Sequence, residues 1–83
     1  MAIFQSEERQ RAKRQKIEKA INLAMLSRWS EAAELNRELI KDYPNEPEAY
    51  NRLGKALMEL GRYREARDAY AEALRVDPMN TIA

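Results

Sequence analysis

The 83-residue chain contains neither cysteine nor histidine, and each absence removes a class of chemistry. Without cysteine there is no disulfide, no thiolate nucleophile and no zinc–thiolate site. Without histidine the commonest general base and the commonest transition-metal ligand are missing. Glycine is scarce: Gly54 and Gly61 are the only two, and they form no phosphate-cradling loop. No apolar run approaches the roughly 18 residues that cross a bilayer. Residues 1–4 are too short for the core of a secretory signal, and the basic residues follow them rather than precede them. These absences predict a cytoplasmic protein that is not an enzyme, has no catalytic residues and holds no cofactor or metal.

What remains is the composition of an all-helical chain. Charged residues make up 35%, prolines number three, and long stretches consist of Ala, Leu, Glu, Arg and Lys, all good helix formers. A chain of this size buries only about 60% of its unfolded surface. A single small core is expected, with the six aromatics (one Trp, one Phe, four Tyr) supplying much of it.

Charge is unevenly placed. Arg9, Arg11, Lys13, Arg14, Lys16 and Lys19 against Glu7, Glu8 and Glu18 give +3 for residues 1–19, leaving −2 for the rest of a chain whose total is +1. Ser6 followed by Glu7 and Glu8 has the pattern of an N-cap with acids in the first turn. This predicts one long helix from about Ser6 to Leu26. Its basic half could grip nucleic-acid phosphates, but balanced overall charge and the lack of interleaved aromatics favour a plain helical extension. The row Glu34, Glu38 and Asp42 shares one helix face at four-residue spacing. A solvated face explains it better than a cation site, because nothing desolvates the carboxylates.

The strongest pattern is a repeat of 34 residues. Leu23 and Leu57, Trp29 and Tyr63, Glu31 and Glu65, Ala32 and Ala66, Glu38 and Glu72, and Pro44 and Pro78 are all separated by that interval. A period of this size marks a supersecondary unit that buries its apolar face against copies of itself. In the second copy Ala49, Tyr50, Leu53, Ala56, Leu57 and Leu60 recur at helical steps, beginning at Pro47, which suits a first turn. Gly61 can end that helix in a left-handed cap. Tyr63, Ala66, Ala69, Tyr70, Ala73 and Leu74 repeat the rhythm until Asp77-Pro78 stops it. Small residues at Gly54 and Ala66 suggest the point where the two helices cross.

The string Tyr50-x-x-Leu53-Gly54-x-x-Leu57, then Ala66-x-x-x-Tyr70 and Pro78, resembles the tetratricopeptide repeat. Residues 47–80 follow that pattern closely. Residues 13–46 follow it in their second half, at Trp29, Ala32 and Pro44. Their first half departs, with Lys16 and Lys19 for the aromatic and leucine and Ala20 for the glycine, and Asn36 replaces the second aromatic. The resemblance implies an α-solenoid of helix–turn–helix repeats with about four antiparallel helices, the first extended. The chain would divide into a basic extension (1–12), two repeats (13–46 and 47–80) and the start of a truncated third or a capping helix (81–83), with Asn80 as its cap.

The resemblance also implies a protein-interaction scaffold whose first helices line a concave groove for a peptide or partner helix. The groove residues would be Arg14, Ile17, Ile21 and Ala24 or Met25 on one side, and Glu48, Asn51, Arg52, Lys55, Met58 and Glu59 on the other. Alternatively, Ile17 and Ile21 fill the local core. The Lys and Asn clamp by which members of this family hold the acidic C-terminus of chaperones would fall on Ile17, Ile21 and Arg52, so that ligand does not fit. Self-association through Ile17 and Ile21, or through an uncapped face made by Tyr70, Ala73 and Leu74, is a further expectation, as is nucleic-acid binding through the basic helix.

Overall fold

The computed structural model describes the backbone of residues 2–78 and the side chains of residues 6–78. Four helices follow one another: α1 (Ala2–Met25), α2 (Trp29–Asp42), α3 (Pro47–Glu59) and α4 (Tyr63–Val76). Connections of three or four residues make successive helices neighbours, so α1 packs on α2, α2 on α3 and α3 on α4. The stack measures 45 × 30 × 18 Å.

The 34-residue period of the sequence recurs in the backbone. Ser27 and Gly61 both turn left-handed, at φ 58° and 78°. The next residues, Arg28 and Arg62, share φ near −90° and ψ near 70°. Arg28 N–H bonds the carbonyl of Leu23 and Arg62 N–H that of Leu57, both at 2.9 Å or less. Each arginine then pairs with a glutamate three residues on, Glu31 or Glu65. The two hairpins are therefore copies in conformation as well as in sequence.

The core is built from small and branched residues. Ala32, Ala33, Leu35 and Leu39 on α2 meet Ala49, Leu53, Ala56 and Leu57 on α3, with Ala20 and Leu23 of α1 and Ala66 and Ala69 of α4 closing the two sides. Leu39 and Leu57 are among the largest fully buried side chains; truncating such a leucine to alanine costs about 2–5 kcal/mol. The buried stripe of α4 is Ala66, Ala69 and Ala73, all without bulk, which lets its backbone lie close to α3.

Several expectations need correction. Helix α1 begins at Ala2 rather than capping at Ser6, because the residues from Ala2 to Glu8 include no glycine or proline and Ala2, Gln5, Glu7 and Glu8 are good helix formers. The aromatics supply less of the core than expected: Tyr50 is buried, while Trp29, Tyr43 and Tyr70 only pack along its edge. Trp29 sits at the first residue of α2, on the rim, and its counterpart Tyr63 is 64% exposed. Ala73 faces the core, so it drops out of the expected open face. Gly54 does make room, but for a ring: a Cβ there would stand 2.8 Å from two atoms of Tyr70. Asn80 and residues 81–83 lie outside the described residues.

Candidate protein-binding surface

Departures from the repeat pattern in the first hairpin are answered by charge. Tyr50 anchors the second hairpin by donating its hydroxyl to the carbonyl of Pro44 at 2.9 Å. Its counterpart Lys16 instead reaches across to α2, 3.8 Å from Glu38 and 3.6 Å from Asp42. Lys13 pairs with Glu46 in the α2–α3 turn and lies 4.6 Å above the Tyr43 ring. Two of the six basic residues thus hold α1 in place, Lys16 through two of the three carboxylates in the acidic row and Lys13 through Glu46 outside it. Arg9, Arg11, Arg14 and Lys19 are exposed and are spread around α1. Residues 6–12 are exposed throughout and project beyond the packed hairpins.

The expected groove residues divide into three groups. Arg14, Ile21, Glu48, Lys55 and Met58 are exposed. Ile17 is half-buried and packs on the core, so the apolar ladder is split between core and surface. Asn51 and Arg52 are not free heads. Asn51 is 7% exposed, and neither atom of its amide has a hydrogen-bond partner. Arg52 is half-buried and donates Nε–H to Oδ1 of Asn36 on α2 at 3.0 Å, so it belongs to the helix–helix contact. Burial lowers its pKa, an effect opposed by the charge of Glu48.

Lys55 is held by Glu59 one turn on, at 3.0 Å, and that hydrogen bond and charge raise its pKa. It carries a full charge at neutral pH. The 34-residue correspondence pairs Lys55 with Ile21 and Glu59 with Met25, so exposed Ile21 and Met25 on α1 match exposed Lys55 and Glu59 on α3, with exposed Met58 beside them. Met25 (76% exposed) and Leu26 were the residues sequence reasoning underweighted. Their position just before a left-handed turn, where the helix ends and nothing covers them, was the available signal.

Two clefts open elsewhere. One of about 290 Å³ runs between α2, α3 and α4, floored by Tyr50, Leu53 and Leu57 and walled by Glu65, Asp68 and Glu72. The other, of about 460 Å³, lies on the outer side of α4, between Met58, Tyr63, Tyr70 and Leu74. Among the described residues no group of His, Cys, Asp and Glu is placed to hold a metal ion, and no helix is long and apolar enough to cross a membrane.

Stacked helical hairpins with charged exposed faces define a helical-repeat protein, a class that works by presenting surfaces. The sequence profile of the tetratricopeptide repeat matches residues 47–80. The chain is also 34% identical over 64 residues to the small glutamine-rich tetratricopeptide repeat-containing protein 2 of Mycosarcoma maydis. That match takes in 77% of this chain and 18% of the relative, so the chain spans less than a fifth of that protein's length. Residues 47–80 are a tetratricopeptide repeat, and the chain has the all-α helical-repeat fold of that family. Repeats of this family generally mediate protein–protein interactions, and their proteins are generally scaffolds without enzymatic activity.

Proposed function

We propose that this chain is a cytoplasmic interaction scaffold, with residues 13–46 and 47–80 as its two repeats, that binds a peptide or partner helix along the matching faces of α1 and α3. The observation that supports this reading is the exposure of Ile21 and Met25 on one leading helix and of Met58, beside the charged Lys55, on the other. Apolar side chains clustered beside hydrogen-bonding heads suit an amphipathic or extended segment: the apolar contacts supply affinity and the charge sets register.

A random peptide library displayed on phage and selected against the whole chain tests this. Titration calorimetry of a selected peptide is expected to show at least a ~10-fold loss of affinity with Ile21→Asp and with Lys55→Glu, typical of central contacts. Both positions are exposed, so circular dichroism should show an unchanged fold. Peptides whose binding ignores both substitutions overturn the reading. Peptides lost only with Arg11→Glu and Arg14→Glu move the site to the basic half of α1.

A further inference from the structure

We propose that the cleft between α2, α3 and α4 seats a lysine or arginine side chain of a partner protein, presented beside an apolar residue. The cleft shares no lining residue with the α1–α3 face. Its floor is Tyr50, Leu53 and Leu57, and its α4 wall carries Glu65, Asp68 and Glu72, three and four residues apart on one side of the helix. Shifted by 34 residues, that wall becomes Glu31, Glu34 and Glu38 of α2, and Tyr50 becomes Lys16. In the first hairpin a cation from within the chain meets the row: Lys16 Nζ stands 3.8 Å from Glu38 and 3.6 Å from Asp42. In the second hairpin the counterpart of Lys16 is a neutral ring whose hydroxyl is spent on the carbonyl of Pro44. Among the described residues, no cation reaches the second row from α3.

The contacts these carboxylates make along α4 do not exhaust them. Glu72 meets Arg75 through Oε2 at 2.9 Å, and Asp68 lies 3.9 Å from Arg67 through Oδ1. Each contact uses one oxygen of a group that accepts several hydrogen bonds. Glu65 is more fully engaged by Arg62, so Asp68 and Glu72 are the groups assigned to the ligand. Three carboxylates line the cleft against one cation, Arg37 on the α2 wall, and that balance favours a basic ligand held on the α4 side. A space of about 290 Å³ suits one long side chain and an apolar neighbour, not a whole helix. With its head at Asp68 and Glu72, such a side chain would lay its methylene stem over Tyr50 and Leu53. The chain already contains a cation set against a ring in this way, at Lys13 and Tyr43, 4.6 Å apart.

The experiment follows the backbone amides of the isotope-labelled whole chain by NMR as the capped tripeptide acetyl-Leu-Lys-Leu-amide is added. The same peptide with norleucine for lysine serves as its uncharged twin. Saturable shifts at Leu53 and Ala69 are expected, with Kd on the order of 1 mM. The norleucine peptide should bind about fivefold more weakly, the share of a largely exposed charge pair. Asp68→Asn combined with Glu72→Gln should erase that difference, and circular dichroism will register an intact fold because both side chains lie on the surface. Ile21→Asp should leave it unchanged, so this result stands or falls apart from the α1–α3 face. Equal affinities, a preference that survives the double substitution, shifts confined to Ile21 and Lys55, or no shift up to about 10 mM peptide overturns the proposal. So does self-association of the free chain in sedimentation that the double substitution removes, since the cleft would then belong to the basic half of α1 in a second copy.

Discussion

Arg52 of α3 and Asn36 of α2 are joined by a 3.0 Å hydrogen bond at the centre of the contact between the two hairpins. Asn36 stands where the repeat pattern has an aromatic, and it is nearly inaccessible to solvent. Its amide is used at both ends, donating to the carbonyl of Ala32 at 2.8 Å while its oxygen accepts from the guanidinium. Asn36→Ala removes the acceptor and leaves a half-buried cation unpaired, so a loss of ~2–3 kcal/mol is expected in urea denaturation. Arg52→Met in the Asn36→Ala background should then cost little further. Additive single effects, within ~0.5 kcal/mol, would show that the two residues do not act as a pair.

Gly54 lies under the Tyr70 ring, with 2.8 Å between a prospective Cβ and ring atoms Cε1 and Cζ. Gly54→Ala gains ~1 kcal/mol of helix propensity but overpacks the ring by ~1–3 kcal/mol. The expected net effect is a modest destabilisation that changes sign in a Tyr70→Ala background, where propensity alone remains. Thermal melts of the two single variants and the double variant check it; a stabilising Gly54→Ala in the otherwise native chain contradicts the packing.

Ser27 and Gly61 share a left-handed backbone, at φ 58° and 78°. Only glycine adopts this region without strain from a Cβ. Ser27→Gly is therefore expected to stabilise the chain by ~0.5–1 kcal/mol, and Gly61→Ala to destabilise it by ~1 kcal/mol, although a Cβ at Gly61 would touch nothing. Chemical denaturation midpoints shifting in the same direction for both would contradict the shared turn.

The Asn51 amide is buried without a partner. Leaving such a group unsatisfied costs ~1–3 kcal/mol, and leucine has a similar volume. Asn51→Leu should raise stability by ~1 kcal/mol. A destabilised variant would mean the amide is hydrogen-bonded in solution.

The helix pairs were legible because they rest on local rules. Pro47 at a first turn, Gly61 at a left-handed cap and Asp77-Pro78 at a stop are each written in one or two residues, and the 34-residue period joins them into copies. The start of α1 was not legible at Ser6: a capping residue competes with helix continuation, and the residues before it form a helix just as readily. Of the expected groove set, exposure of Ile21, Lys55 and Met58 could be read from helical spacing. The burial of Asn51 and the capture of Arg52 by Asn36 could not, since both depend on how closely α3 lies against the rest of the stack.

The sequence by itself determined the hairpin unit, its repetition and the absence of cysteine and histidine chemistry, because composition, caps and apolar period act within one helix or one turn. Only the tertiary structure decided which side chains meet between helices. Lys16 sits where the pattern has an aromatic, and it is held by Glu38 and Asp42 of the next helix. Apart from buried Tyr50, the described aromatics lie at the edge of the core or in solvent while alanines and leucines fill the centre, because small side chains let the helices approach closely. Tyr63 and Leu74 on α4 are exposed where their counterparts Trp29 and Ile40 on α2 pack against the core, and that contrast exists only once the two hairpins are placed side by side.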